Sequence, residues 1–288
     1  MSQSNKPRIM LITSMVIFGT IGLLVRNIPL PSAEIALYRA VLAAVLLGSY
    51  FLIAGQKIQI RALGKELPLL ILSGAAMGFN WILLFEAYNY TTVSVATLSY
   101  YFAPVIVTAV CPVLFREKMG TKQWICFAMS TLGIVLITGI GDMEEGSQHL
   151  LGIGFGLGAA VLYATVILLN KCIKGVAGIQ RTFLQFLSAI CVLVPYVLTT
   201  TGIRVQMLNG IGWMNLLVVG LIHTGVTYCL YFSALKDLPG QTAAILSYID
   251  PLVAVLLSVF VLGEQITVIQ IVGGILILGF TLYNELEL

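Results

Sequence analysis

The chain has 288 residues, 59% of them apolar and 9% charged, with a mean hydropathy of +1.02. Soluble domains carry about 25% charged residues, so a water-soluble globular fold is excluded and lipid is the solvent that fits. The formal net charge of +3 is too small to argue for a nucleic-acid partner, and the information lies in where the positive residues sit.

A hydrocarbon core about 30 Å thick needs about 20 apolar residues in a helix. Ten stretches meet that need, at about 8–26, 33–53, 67–87, 93–115, 121–140, 151–170, 181–201, 212–235, 240–262 and 266–284. The first lacks an A-x-A cleavage site and reads as a retained span, not a signal peptide. Glycine and proline recur inside these stretches, as membrane helices allow. Cys111, Cys126, Cys172, Cys191 and Cys229 lie within them or at their ends and form no CxxC or Cys/His cluster. They read as small buried hydrophobes, and no metal or cofactor site is expected. Glycines 152, 154, 156 and 158 form overlapping small-xxx-small patterns that suit close helix packing within the molecule. No polar stretch is long enough for a separate soluble domain, so the expected fold is an all-α integral membrane domain.

Positive residues concentrate in cytoplasmic loops. Under this span assignment twelve of the fifteen Lys and Arg fall on one side, among them Lys6, Arg8, Lys57, Arg61, Arg116 and Lys118. Arg26 and Arg204 fall on the other side, and Arg39 lies inside a span. The asymmetry predicts cytoplasmic N- and C-termini, with Asp142, Glu144 and Glu145 facing outward.

Sliding the chain against itself by 147 residues pairs Gly78 with Gly225, Phe85 with Phe232, Tyr101 with Tyr248, Pro104 with Pro251 and Glu117 with Glu264. Chance pairs of Leu or Ala are cheap in apolar sequence, whereas Pro and Glu pairs are not. Residues 1–141 and 150–288 then form two five-helix repeats, and an odd count inserts the second upside down. Inverted repeats are a transporter architecture, with a midplane site between the halves.

The residues that carry this pattern are Phe85–Ala87, Tyr90, Thr91, Leu98, Pro104, Glu117 and Gly133 in the first half. In the second they are Phe232–Leu235, Leu246, Asp250, Pro251, Leu262–Glu264, Gln270 and the glycines 273, 274 and 279. With Arg39 in the second span, they resemble the EamA-type members of the drug/metabolite transporter superfamily over nearly the whole chain. The resemblance implies a ten-helix carrier of the cytoplasmic (inner) membrane with a central cavity. It further implies secondary transport of amino acids or other small metabolites, often outward. One departure is the basic Phe115–Lys118 where the second half has Leu262–Glu264.

Ionised side chains at bilayer depth are costly and face cavities or partners. Asp250, just before the helix-opening Pro251, is a candidate to bind a ligand group or a proton, or to cap its own broken turn. Arg39 either meets a substrate carboxylate or pairs with Glu34, Glu86 or Asp250. Glu86 is a candidate proton or cation site near an interface, and His223 a candidate proton relay or a packing residue. Asn80 and Trp81 align with Thr227 and Tyr228 under the repeat. With Tyr101 and Tyr248 they mark spans three, four, eight and nine as the cavity wall, suited to amino acids, amines or flat heterocycles. Helices kinked near Pro104 and Pro251 would supply gates. The expected partners are a small-molecule substrate, the bilayer and protons, without nucleic acid or ATP, in a monomer or homodimer.

Three rival functions have weaker support. Gly139-Ile140-Gly141-Asp142 resembles the GxGD of intramembrane aspartyl proteases, but Asp142 closes a span beside Glu144 and Glu145 where a helix stop is expected. HExxH and P-loop patterns are absent, so neither a metalloprotease nor an ATP-driven pump is indicated. A channel would display rings of like residues, and a lipid-headgroup translocator would need a lateral opening.

Overall fold

A computed structural model describes residues 5–56, 60–115, 120–137, 148–176, 178–235, 237–238 and 246–285. Among these residues the chain is helical, with no strand. Glu117, Gly139, Gly141, Asp142, Glu144, Glu145, Lys57, Arg116, Lys118 and Lys236 lie outside them.

The helices follow the apolar stretches, and local chemistry sets their ends. α1 (Lys6–Gly19) starts with a proline in its first turn and stops at Thr20, whose hydroxyl donates to Ile17 O over 2.8 Å; α2 (Ile21–Val25) continues it. α3 (Ser32–Ile53) follows Pro31 and carries Glu34 in its first turn, where a carboxylate complements the helix dipole. α4 (Leu67–Tyr90) again has a proline at its start. α5 (Val93–Tyr100) is capped by Thr92, whose side chain accepts from Val95 N. α6 (Ala103–Phe115), α7 (Thr121–Ile137), α8 (His149–Cys172) and α9 (Gly178–Thr200) follow. α10 (Gly210–Leu217) passes into a π-helical segment, Val218–Val226, and then α11 (Thr227–Leu235). α12 (Ile249–Phe260) and α13 (Val268–Glu285) complete the described chain. Among the described residues seven helical stretches are long and apolar enough to cross a membrane, and 249–260 and 268–283 are shorter apolar helices.

Large apolar side chains point outward, with Ile53 at 89% and Val113 at 84% of full exposure. In lipid this surface needs no burial, and helices associate instead through close packing and small residues. A Cβ on Gly152 would stand 2.7 Å from Thr91 Cγ2 and 3.0 Å from Thr91 N, and one on Gly156 would stand 2.9 Å from Ser99 Cβ. Gly158 faces Leu83, while a Cβ on Gly154 would meet nothing within 4 Å. Three of the four glycines expected to serve internal packing therefore do so, and the fourth faces outward.

The contacts between the two halves are exchanged under the 147-residue offset. A Cβ on Gly78 in α4 would stand 3.1 Å from Leu193 Cδ1 in α9, and one on Gly225 would stand 3.2 Å from Leu46 Cδ1 in α3. Leu193 is itself the offset partner of Leu46. The same exchange relates whole helix pairs: α4 packs on α8 as α11 packs on α1, and α4 on α9 as the π segment packs on α3.

Valine at position 152 is expected to lower the detergent unfolding midpoint, at a cost of about 1–3 kcal/mol for overpacking against backbone. Gly154→Val, facing open space, should leave that midpoint unchanged. Thermal unfolding of the two purified variants compares them directly.

Candidate functional site

A cavity of about 560 Å³ lies in the middle of the bundle, walled by residues of both halves. That volume falls in the range of about 300–1,000 Å³ typical of small-molecule sites. Its rings include Trp81, Tyr88, Tyr100, Tyr163, Tyr228 and Phe232. Trp81 and Tyr228 are offset partners, so corresponding points of the two halves face the same space.

The walls open where helices break. Pro104 has no N–H, and its ring collides with the carbonyl four residues back, that of Tyr100. α5 accordingly ends at Tyr100, Tyr101 and Phe102 form a turn, and α6 begins at Ala103. In the second half Pro251 sits in the first turn of α12, preceded by a turn at Tyr248. Tyr101 and Tyr248 therefore occupy matching breaks, and both line the cavity, as does Pro104, while Pro251 is buried beside it. The hydroxyl of Tyr101 donates to Asp250 Oδ2 over 2.6 Å, joining one break to the other.

Asp250 lies in the first turn of α12, at the end of the helix dipole that favours negative charge, and faces the cavity. Arg39, also in the cavity wall, is 4% exposed. Its Nε donates to Thr224 Oγ1 over 2.6 Å, and its guanidinium carbon lies 4.3 Å from the centroid of the Trp81 ring. The pairings with Glu34, Glu86 or Asp250 entertained from the sequence do not form: among the described residues the single ion pair is Arg26–Glu264. Glu34 Oε2 instead accepts from the backbone N–H of Arg204 at 2.9 Å.

Thr224 is positioned by the π segment. Its hydroxyl donates to Val219 O, five residues back, over 2.8 Å, which leaves its lone pair for Arg39. π-turns are rare and recur at functional sites. The next residue back, His223, is turned the other way, with Nε2 2.7 Å from Thr20 Oγ1 at the α1–α2 break.

Three sequence candidates lie outside the cavity wall. Asn80 Nδ2 donates to Ala159 O over 2.6 Å and ties α4 to α8. Glu86 Oε2 accepts from Ser32 Oγ at 2.6 Å, joining α4 to the start of α3. His223 is buried against Thr20. Conversely, sequence reasoning missed a polar cluster in the wall: Gln185 Nε2 donates to Ser73 Oγ (2.6 Å) and to Asn170 Oδ1 (2.8 Å). Asn170 and Gln185 belong to α8 and α9 near the loop that joins them.

The opposite end of the bundle is crossed by a network around one carboxylate. Glu264 accepts from Arg26 at the end of α2, from Ser258 Oγ in α12, and from the backbone N–H of Val93 at the start of α5, the last over 2.9 Å. Elements of both halves are thus fastened together at the end away from Asn170.

Comparison with known proteins agrees with this architecture. The model of the EamA-like transporter family matches the chain twice, over residues 6–139 and 150–284. The uncharacterized transporter YxxF of Bacillus subtilis (strain 168) is 31% identical over 276 residues, covering 96% of this chain and 88% of that one. An uncharacterized transporter of Archaeoglobus fulgidus is 27% identical over 274 residues, covering 93% and 92%. A solved crystal structure shares the fold at 14% identity, with a TM-score of 0.65 over 96% of both chains. The apolar helices and these matches together identify a multi-pass membrane protein that belongs to the EamA-like transporter family.

Proposed function

We propose that the protein is a secondary transporter that moves a small organic metabolite, of the amino-acid or amine type, across the cytoplasmic membrane by alternating access. The observation that carries this reading is a single cavity walled by both halves of the chain, with offset partners Trp81 and Tyr228, Tyr101 and Tyr248 facing it. In this reading the helical segments make ten crossings, as two five-helix units of opposite sense with both termini cytoplasmic. The exchanged contacts Gly78–Leu193 and Gly225–Leu46 support that arrangement, since a two-fold relation makes residue i meet j and j meet i. Export is the expected direction. Proton antiport or facilitated diffusion supplies the drive, with Asp250 the titratable group best placed for coupling. The unit of function is a monomer or homodimer, and the reading involves neither covalent chemistry nor nucleotide.

Alternating access needs closure at one end while the other opens. The Glu264 network supplies such a closure, because it joins α2, α5 and α12 at one carboxylate. Rocking of the halves would part these donors, and the turns at Tyr101 and Tyr248 are the places where the wall can bend.

Two experiments follow. In proteoliposomes, counterflow of the transported solute should saturate with concentration and be temperature-sensitive; unitary conductance steps in a planar bilayer would contradict a carrier. In a cysteine-free background carrying Thr97→Cys, Glu264→Gln should raise the rate of modification by a membrane-impermeant thiol reagent from the Arg26 side, on the order of several-fold, as the closed state loses population. An unchanged rate would remove the network from gating.

A further inference from the structure

In the transport reading the closure at the Arg26 end must respond to the cavity, and the π segment touches both. Its register is set by packing against α3. Leu42 and Leu46 stand four residues apart, about one turn of an α-helix. A Cβ on Gly220 would come within 2.4 Å of Leu42 Cδ1, as one on Gly225 would come within 3.2 Å of Leu46 Cδ1. Two glycines five residues apart sit about 140° apart around an α-helix, so an α-helical segment would turn one of them away from α3. Turns closed five residues back bring them closer to one face. The hydroxyls of Thr224 and Thr227 donate to Val219 O and Ile222 O over 2.8 and 2.7 Å, adding bonds across the same turns. The segment is held in the π form by its own side chains and by α3.

Adjacent residues of this segment reach in opposite directions. Thr224 accepts from Arg39 Nε in the cavity wall, and His223 Nε2 lies 2.7 Å from Thr20 Oγ1. Thr20 is the break between α1 and α2, its N–H and hydroxyl both donating to Ile17 O, at 3.1 and 2.8 Å. The two sides of the break are seated on different halves of the chain. Before it, a Cβ on Gly19 would stand 2.6 Å from Asp250 O in α12; after it, one on Gly22 would stand 2.6 Å from Val93 Cγ1 in α5. α2 is five residues long and runs from the cavity, which Ile21 lines, to Arg26, which pairs with Glu264. It is a short lever between the two, and His223 holds it at the break.

Building on the transport reading, we propose that His223 and Thr224 are positioning residues of the transport cycle, linked through the π turn that carries them. Thr224 sets Arg39 in the cavity wall, while His223 holds the α1–α2 break with α2 closed on α5. Thr224 is fully buried and His223 is 3% exposed, so both act through other residues and not on the solute. A shift of Arg39 moves Thr224, and its neighbour His223 passes that shift to Thr20, and so to Arg26 and Glu264. The inference does not depend on the class of solute.

The test uses the full-length, cysteine-free protein carrying Thr97→Cys in proteoliposomes, with a membrane-impermeant thiol reagent applied from one side at a time. Thr20→Val and His223→Phe remove the same hydrogen bond from its two ends. Each is expected to raise the modification rate from the Arg26 side on the order of several-fold, and the double variant by no more than either alone, because one bond is lost once. His223→Gln, which keeps a polar group in reach of Thr20, should return toward the unmutated rate. Thr224→Val should raise the rate as well, and Thr224→Ser restore it, although residue 224 bonds to Arg39 and not to Thr20. From the Asn170 side the rate should rise in none of them, since opening one end shifts population away from the state open at the other. General loosening of the bundle would raise both. Thermal unfolding in detergent checks that each variant folds; should His223→Phe fail, Thr20→Val removes the same bond and decides. Unchanged rates in Thr20→Val and Thr224→Val, with Glu264→Gln still raising its own, overturn the inference and leave the transport reading standing, as does a rise from both sides. Absence of saturable counterflow in the unmutated protein would remove the transport reading and this inference with it.

Discussion

The structure depends on how closely the two halves can approach in a solvent that does not push them together. Between lipid-facing helices there is no hydrophobic drive, so contact area and small residues have to hold the bundle. Gly78 lets Leu193 onto the backbone of α4, and Gly225 lets Leu46 onto the π segment in the same manner. These two contacts fasten α3, α4, α9 and the π segment beside a space that no side chain fills. The cavity is the volume left between elements whose separation is set elsewhere.

Polar groups in this bundle divide by what their partners are. Those satisfied by protein serve as ties: Asn80 on Ala159 O, Glu86 on Ser32, His223 on Thr20. Each joins helices far apart in sequence, and none faces the cavity. Arg39 and Asp250 are only partly satisfied, each by one neutral hydroxyl, and both face it. Buried charge left without a counter-charge is expensive; Arg39 and Asp250 keep theirs at the wall of the cavity, while Glu34, buried away from it, has one partner for Oε2 and none for Oε1 among the described residues. Glu264 is a third kind, a carboxylate with several donors at one end of the bundle.

The apolar stretches and the helix-breaking prolines were legible in the sequence because each has a local signature. Tyr101, Tyr248, Trp81 and Tyr228 were found by comparing the halves, which detects residues that have an offset partner of similar kind. Tyr88 and Tyr163 also line the cavity, but their offset partners are Leu235 and Val16, so that comparison passes over them. Asn170 and Gln185 escape for the same reason, facing Leu23 and Tyr38 in the offset. Thr224 was not among the Arg39 partners considered from the sequence, because the π segment brings it there from 185 residues away. A π-turn has no composition signal, and its i−5 bonds become visible only in three dimensions.

The central claim is that a five-helix unit occurs twice with opposite sense in the membrane, so that one cavity can be offered to either side. Its most direct test is the sidedness of the chain ends, measured with reporters fused separately to the N- and C-termini in intact cells and in inverted vesicles. Two units of five crossings place both reporters on the cytoplasmic face. Reporters on opposite faces would require an odd total of crossings, and the paired-unit architecture would be contradicted.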